Sequence, residues 1–222
     1  GQNQYDSWHA SGVSGNTVRS FYLPAEPKQC ADCHMPQVPS NDQGGDEGFI
    51  KSHRFPAANS TIPHINEFPD QKSAVQRNLS NRAVLLDIFQ VTINGTSYGP
   101  ASEIPEMRPG DDVELSVVVR NNQVGHRFPA GTNDSNQSWV ELQALDQNGD
   151  PALISGQISN GGFVDSTAHF FNAVLVDNES NPIDKRNIQD WVATIYANTI
   201  NPGTARTVHY RFIVPPGQII SR

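Results

Sequence analysis

The chain has 222 residues with a formal net charge of -8, which is enough length for one large or two small domains with a real core. An acidic chain lacks the basic face that non-specific nucleic-acid binding needs, and no stretch approaches the run of about 18 apolar residues that spans a membrane. The sequence starts without an initiator Met or a signal peptide, so we expect a mature chain or an excerpt of a longer one.

The character of the sequence changes near residue 82, and this change predicts two domains, residues 1–82 and residues 83–222. The first part has little strand periodicity but contains both cysteines, four of the seven histidines and many prolines. We therefore expect an irregular segment with short helices there. The second part consists of strand-like stretches separated by turn residues.

Within the first part, the two cysteines form the pattern Cys30-Ala-Asp-Cys33-His34. A redox pair at this spacing normally belongs to a thioredoxin-like βαβ unit, and a zinc site would need a second pair of Cys or His; the sequence contains neither. C-x-x-C-H is the pattern of covalent haem attachment. It predicts one haem c per chain, with Cys30 and Cys33 as thioether anchors and His34 as the proximal iron ligand. Because this attachment takes place outside the cytoplasmic membrane, we expect a periplasmic, cell-surface or extracellular protein.

A short helix is predicted between the two parts, over residues 68–79. Asp70 is expected to be its N-cap, because an aspartate side chain can accept hydrogen bonds from the first turn. The apolar side of this helix would consist of Ala74, Val75 and Leu79.

The second part alternates apolar and polar residues with a period of two, which is typical of half-buried strands. Three stretches show it best, and their inward residues are Val113, Leu115, Val117 and Val119; Val140, Leu142 and Ala144; and Val208, Tyr210, Phe212 and Val214. Together with residues 83–95, 169–177 and 191–198, they give about seven strands. The sequence therefore predicts a mainly β protein whose second domain is an antiparallel β-sandwich of immunoglobulin-like type.

The word HRFPA occurs twice, starting at His53 and at His126. Each copy offers a histidine for the iron, an arginine that can pair with a haem propionate, and a Phe-Pro corner that can cover the porphyrin. The residues in the latter two roles would be Arg54 and Phe55 in the first copy, and Arg127 and Phe128 in the second. The alternative interpretation of either copy is a simple turn with its Phe buried and its His exposed.

The second axial ligand is predicted to be His126, with His53 as the alternative. His126 follows a regular strand that can hold it rigidly, and Gly125 and Gly131 on either side allow close approach to a flat macrocycle. His53 lies closer to His34 in sequence, so its loop closure costs slightly less entropy. The weaker candidates are His9, His64, His169, His209, Met35 and Met107.

Three stretches, "QCADCHMP", "SHRFPAAN" and "VGHRFPAG", together with the opening "YDSWHASGVSG", resemble the C-terminal part of multihaem c-type cytochromes. The relatives are the nitrite-reductase and hydroxylamine-oxidoreductase group and their electron-transferring cousins. The resemblance implies that His53 ligates a different haem from the one attached at Cys30 and Cys33. It also implies that His9 ligates a haem supplied by a missing part of the chain or by a neighbouring protein. It covers residues 1–60 and 120–145. The chain departs from the family in having a single C-x-x-C-H, so we interpret it as an excerpt, a fragment or a divergent single-haem module.

These features predict electron transfer through a bis-histidine haem c, and a protein that is not an enzyme. Its partners would be other haem groups, redox proteins or neighbouring subunits of a cytochrome assembly. One alternative is a haem enzyme with an open iron site that reduces nitrite or peroxide. Another is an adhesion or assembly module with a structural haem. Two histidines that compete for the iron make the open site the less favoured arrangement.

Overall fold

The computed structural model describes residues 3–17, 24–100, 102–133, 136–183 and 187–220. Its first part contains short helices, as the sequence predicts, and one small hairpin, which the sequence does not predict. In chain order these elements are α1 (Gln4–His9), α2 (Cys30–His34), β1 (Gln37–Pro39), β2 (Phe49–Lys51), α3 (Thr61–Ile65) and α4 (Pro69–Leu79). Strands β1 and β2 pair antiparallel with each other.

The remainder is mainly β, which confirms the predicted fold class. Its strands are β3 (Val84–Ile93), β4 (Thr96–Tyr98), β5 (Asp112–Asn121), β6 (Ser138–Val140), β7 (Leu142–Leu145), β8 (Pro151–Ser155), β9 (His169–Phe171), β10 (Ala173–Val176), β11 (Ala193–Ala197) and β12 (Ala205–Ile213). They form a four-stranded sheet in the order β12-β5-β3-β4 and the two-stranded sheets β6-β9, β7-β8 and β10-β11. Every one of these pairings is antiparallel.

Strand β5 is the centre of the four-stranded sheet, and its alternation is the one the sequence predicts. Its odd-numbered residues from Val113 to Val119 are buried, and the register places Leu115 opposite Tyr210 and Val117 opposite Val208 of β12. The other wall of the core comes from β6, β7 and β9. Apolar side chains from both walls therefore enclose one core, as in a sandwich.

The stretch from Ser138 to Leu145 differs from its prediction, because it forms two strands rather than one. Strand β6 pairs with β9, whereas β7 pairs with β8. The buried face of Val140, Leu142 and Ala144 is nevertheless continuous, as predicted. The pattern of a strand fixes which face is buried and not which neighbour it pairs with.

Helix α4 also departs from its prediction. Phe68 is its N-cap and Pro69 its first helical residue, so Asp70 lies inside the first turn and is not the cap. Proline suits that position because its fixed φ is already helical and its missing N–H would have no partner there. Val75 is buried, but Leu79 is 52% exposed, so the apolar side is shorter than predicted.

No helix within the described ranges is long and apolar enough to cross a membrane. The division of the chain between residues 82 and 83 stays a prediction.

Candidate functional site

The Cys-x-x-Cys-His motif forms helix α2, so Cys30 and Cys33, three positions apart, lie on neighbouring positions of one face. Both thiols are free and exposed. The start of the helix is fixed by Asp32, whose carboxylate accepts a hydrogen bond from the Gln29 N–H at 2.8 Å. This hydrogen bond, followed by the Lys51 ammonium at 3.6 Å, keeps the pKa of Asp32 below its usual value. Two unbonded thiols thus project from a well-defined helical turn.

The thiol of Cys33 has a raised pKa, because the surrounding chain removes part of its hydration although the side chain still reaches solvent. The positive charge of Lys28 acts in the opposite direction and is the smaller effect. At neutral pH this thiol is therefore protonated rather than a reactive thiolate.

His34, the last residue of α2, is held by the first HRFPA copy. Its Nδ1 lies 2.8 Å from the carbonyl oxygen of Pro56, and its ring stacks on Phe55 with ring centres 4.5 Å apart and planes 10° apart. A carbonyl oxygen only accepts hydrogen bonds, so Nδ1 must donate and carry the proton. The lone pair of Nε2 is then available to a metal.

Phe55 reaches this position through an unusual backbone conformation, with φ at 44°. Positive φ is rare for a bulky side chain and costs on the order of 1–3 kcal/mol. The ring is also 51% exposed, so burial alone does not account for the conformation. This backbone conformation places the Phe55 ring in its stacked contact with His34.

His126 faces the same imidazole from the second HRFPA copy. The His34 and His126 rings are parallel within 5°, and their centres are 6.2 Å apart. Nδ1 of His126 lies 3.0 Å from the carbonyl oxygen of Arg127, which again assigns the proton to Nδ1 and leaves Nε2 free. Desolvation by burial lowers the pKa of His126, and the hydrogen bond to the Arg127 carbonyl opposes this effect only in part. The ring is therefore neutral at neutral pH.

This pair of rings fits the axial ligation of one haem iron. Two imidazoles that bind a metal ion from opposite sides, each at about 2 Å, place their ring centres about 6 Å apart. The distance of 6.2 Å between His34 and His126 agrees with that requirement. The two free thiols of α2 are the groups that thioether attachment needs.

The two HRFPA copies therefore have different roles around one imidazole. The first supplies Phe55 and the Pro56 carbonyl to His34, and the second supplies His126. Phe128 is half-buried, and its backbone exchanges two hydrogen bonds with Ile200, at 2.9 and 2.7 Å. Packing of either phenylalanine against a porphyrin stays a prediction.

His53 is exposed, and it has neither a ring contact nor a hydrogen bond among the described residues. Arg54 forms an exposed ion pair with Asp70 at 3.8 Å. The Arg127 side chain is exposed, while its backbone N–H donates to Ser7 Oγ at 3.0 Å. The structure thus brings His126, and not His53, next to His34.

The weaker candidates lie elsewhere. Met107 is a buried core residue, and His209 is an exposed residue of strand β12. His64 lies in helix α3, with Nδ1 3.2 Å from the Lys72 ammonium. His169 lies 3.1 Å from the side-chain amide of Asn198. No group of three or more His, Cys, Asp or Glu side chains in the described ranges is placed to hold a metal ion.

Asn121, at the end of β5, is a functional residue that sequence reasoning missed. Its side chain is fully buried and donates to the carbonyls of His126, at 2.9 Å, and Ile200, at 3.2 Å. Its Oδ1 accepts from the Val124 N–H at 3.0 Å. One amide thus fixes the backbone at Val124 and at His126, on either side of Gly125. Its burial could have been predicted from the sequence, because Asn121 continues the buried, odd-numbered face of β5.

We expect Asn121→Ala to lower the free energy of unfolding by about 3 kcal/mol, because one buried and two partly buried backbone groups lose their partner. Denaturant unfolding followed by circular dichroism measures the change. Asn122→Ala is the matched control, since the Asn122 amide makes one long bond, 3.4 Å, to the Arg82 carbonyl. Equal losses in the two variants would contradict the role assigned to Asn121.

No family model matches the sequence, and no curated protein has a significant match to it. Among solved structures, the chain is similar to a penta-heme cytochrome c552 from Thermochromatium tepidum, with a TM-score of 0.46 and 17% sequence identity. The alignment covers 87% of this chain and 38% of that cytochrome. The chain thus spans well under half the length of that protein.

Proposed function

We propose that the protein transfers electrons through one covalent haem c, attached at Cys30 and Cys33 and ligated by His34 and His126. The observation that carries this proposal is the pair of parallel imidazoles 6.2 Å apart, each with Nδ1 bonded to a backbone carbonyl. In both rings Nδ1 is occupied by a backbone carbonyl, so Nε2 is the nitrogen left for a metal. The unbonded thiols of α2, next to His34, supply the anchors.

The haem supplies a one-electron couple, and the chain holds it in a fixed environment. Donation from Nδ1 to the carbonyls of Pro56 and Arg127 orients each ring and increases its basicity as a ligand. Two nitrogen ligands favour a lower reduction potential than a His/Met pair, because a thioether ligand raises it. A haem held by both His34 and His126 would have no open iron position for nitrite or peroxide, which favours electron transfer over the enzymatic alternative.

The redox partners are proposed to be other haems, carried by neighbouring proteins or subunits. Electron transfer falls off steeply with distance, so a single haem needs a second one close by. His53 and His9 are exposed imidazoles that suit such a neighbouring haem, and Arg54 and Arg127 have exposed side chains that suit propionates. Covalent attachment of haem further implies that the protein works outside the cytoplasmic membrane.

Spectroscopy of the ferric and ferrous holoprotein tests the proposal. We expect colour that stays on the polypeptide in acid acetone, a pyridine haemochrome of saturated vinyl groups, and a low-spin spectrum that cyanide changes only slowly. A high-spin ferric protein that binds cyanide at once would support the enzymatic alternative instead. Haem that acid acetone extracts would contradict the covalent site.

A further inference from the structure

Residues 3–17, here called the N-terminal strap, contact the chain just ahead of the Cys-x-x-Cys-His helix. The indole N–H of Trp8 donates to the carbonyl of Lys28 at 2.7 Å, and the Lys28 N–H donates to the carbonyl of Val13 at 2.9 Å. Lys28 is two positions before Cys30. The strap is therefore tied to the segment that carries His34.

The same strap contacts the chain on both sides of His126. Ser7 Oγ accepts a hydrogen bond from the Arg127 N–H at 3.0 Å. A Cβ added to Gly125 would lie 3.2 Å from Val13 Cγ1 and 3.5 Å from Trp8 Cδ1, so both side chains pack directly on that glycine. Trp8 thus contacts a residue close to Cys30 and the residue next to His126.

Hydrogen bonds within the strap hold Trp8 and Val13 in a fixed relative position. Ser11 Oγ donates to the Trp8 carbonyl at 2.7 Å and accepts from the Val13 N–H at 3.2 Å. Ser11 and Val13 are both buried. These bonds fix Trp8 and Val13 relative to each other. The segments at Lys28 and at Gly125, which both residues contact, therefore cannot shift independently.

We propose that the N-terminal strap sets the separation of the two axial ligands, with Trp8 as the positioning residue that keeps His126 on the iron. This inference rests on the proposed function, because it assumes that both histidines ligate one haem. Trp8 itself touches neither imidazole in the contacts described and acts through Lys28 and Gly125. Loosening the strap should therefore weaken ligation by His126 without removing the haem, since the thioether anchors lie outside the strap.

Cyanide binding to the ferric full-chain holoprotein tests this inference, because cyanide binds only when His126 has left the iron. Trp8→Phe removes the hydrogen bond to Lys28 but keeps an aromatic ring, and we expect the apparent cyanide affinity to rise about fivefold, the effect of one lost hydrogen bond. Gly125→Val pushes the strap away from His126 and should raise the affinity at least as much. Covalent haem content and far-UV circular dichroism should stay as in the wild type.

Two variants serve as matched controls. Phe163→Ala removes a 77% exposed aromatic ring outside the strap, and Gly99→Val enlarges a glycine whose added Cβ would meet nothing within 4 Å. Both should bind cyanide as the wild type does. Unchanged affinity in Trp8→Phe, with the wild type low-spin, would overturn this inference alone, even if Gly125→Val fails to fold. A wild-type haem that is already five-coordinate would overturn the proposed function, and with it the premise that both histidines ligate one haem.

Discussion

Replacing both Cys30 and Cys33 with alanine is expected to abolish covalent haem, and replacing either one should leave little mature holoprotein. Each thiol supplies one of the two thioether bonds, and both thiols are free and exposed on α2. His34 and His126 would then hold the iron only by bonds that acid breaks. Absorbance of the polypeptide after acid-acetone extraction, together with intact mass, measures the attached haem.

Ala31→Ser is the control for the cysteine variants, because it changes a residue between the two thiols and leaves both thiols in place. It should mature normally. A double alanine variant that keeps its colour through acid acetone would show that the haem is not attached at this motif. The apoprotein should also titrate with two free thiols, whereas the holoprotein should titrate with none.

His126→Ala is expected to change the ferric haem from low-spin to high-spin or mixed-spin and to raise its reduction potential. The change removes one of the two nitrogen ligands, and the remaining imidazole, His34, is still fixed by Phe55 and Pro56. Added imidazole should restore the low-spin spectrum, because it can enter the space that the side chain leaves. Optical spectra and a spectroelectrochemical titration measure both effects.

His53→Ala is the matched control, since it removes an exposed histidine from the identical five-residue word. It should leave this haem low-spin. If His53→Ala changed the spin state and His126→Ala did not, the two histidines would have exchanged roles. If neither did so, the repeat would be a packing motif only.

The alternation of β5 and β12 could be predicted because burial on one face leaves its period directly in the sequence. The change of partner between β6 and β7 could not, since period-two patterns carry no information on the neighbouring strand. The cap of α4 was misassigned for a similar reason. Both Asp70 and Pro69 are good residues for a helix start, and their relative position decides which role each takes.

The candidate site was predictable in its chemistry and less so in its arrangement. C-x-x-C-H is a local pattern, so its residues could be named from the sequence. The choice of His126 over His53 set a rigid strand and two flanking glycines against loop closure, whose cost changes by only about 0.6 kcal/mol for each doubling of length. The structure places His126 beside His34, and Asn121 holds the His126 carbonyl; the β5 pattern predicts that Asn121 is buried but not which groups it bonds.

The nearly parallel planes of the two imidazoles bear on the electronic structure that an iron between them would have. Parallel rings direct their π electrons at the same iron d orbital, which separates that orbital in energy from its otherwise equivalent partner. The electron that enters or leaves would then occupy an orbital with a fixed direction in the protein. Because the 5° angle depends on the carbonyls of Pro56 and Arg127, those two backbone groups would determine the magnetic axes of the haem.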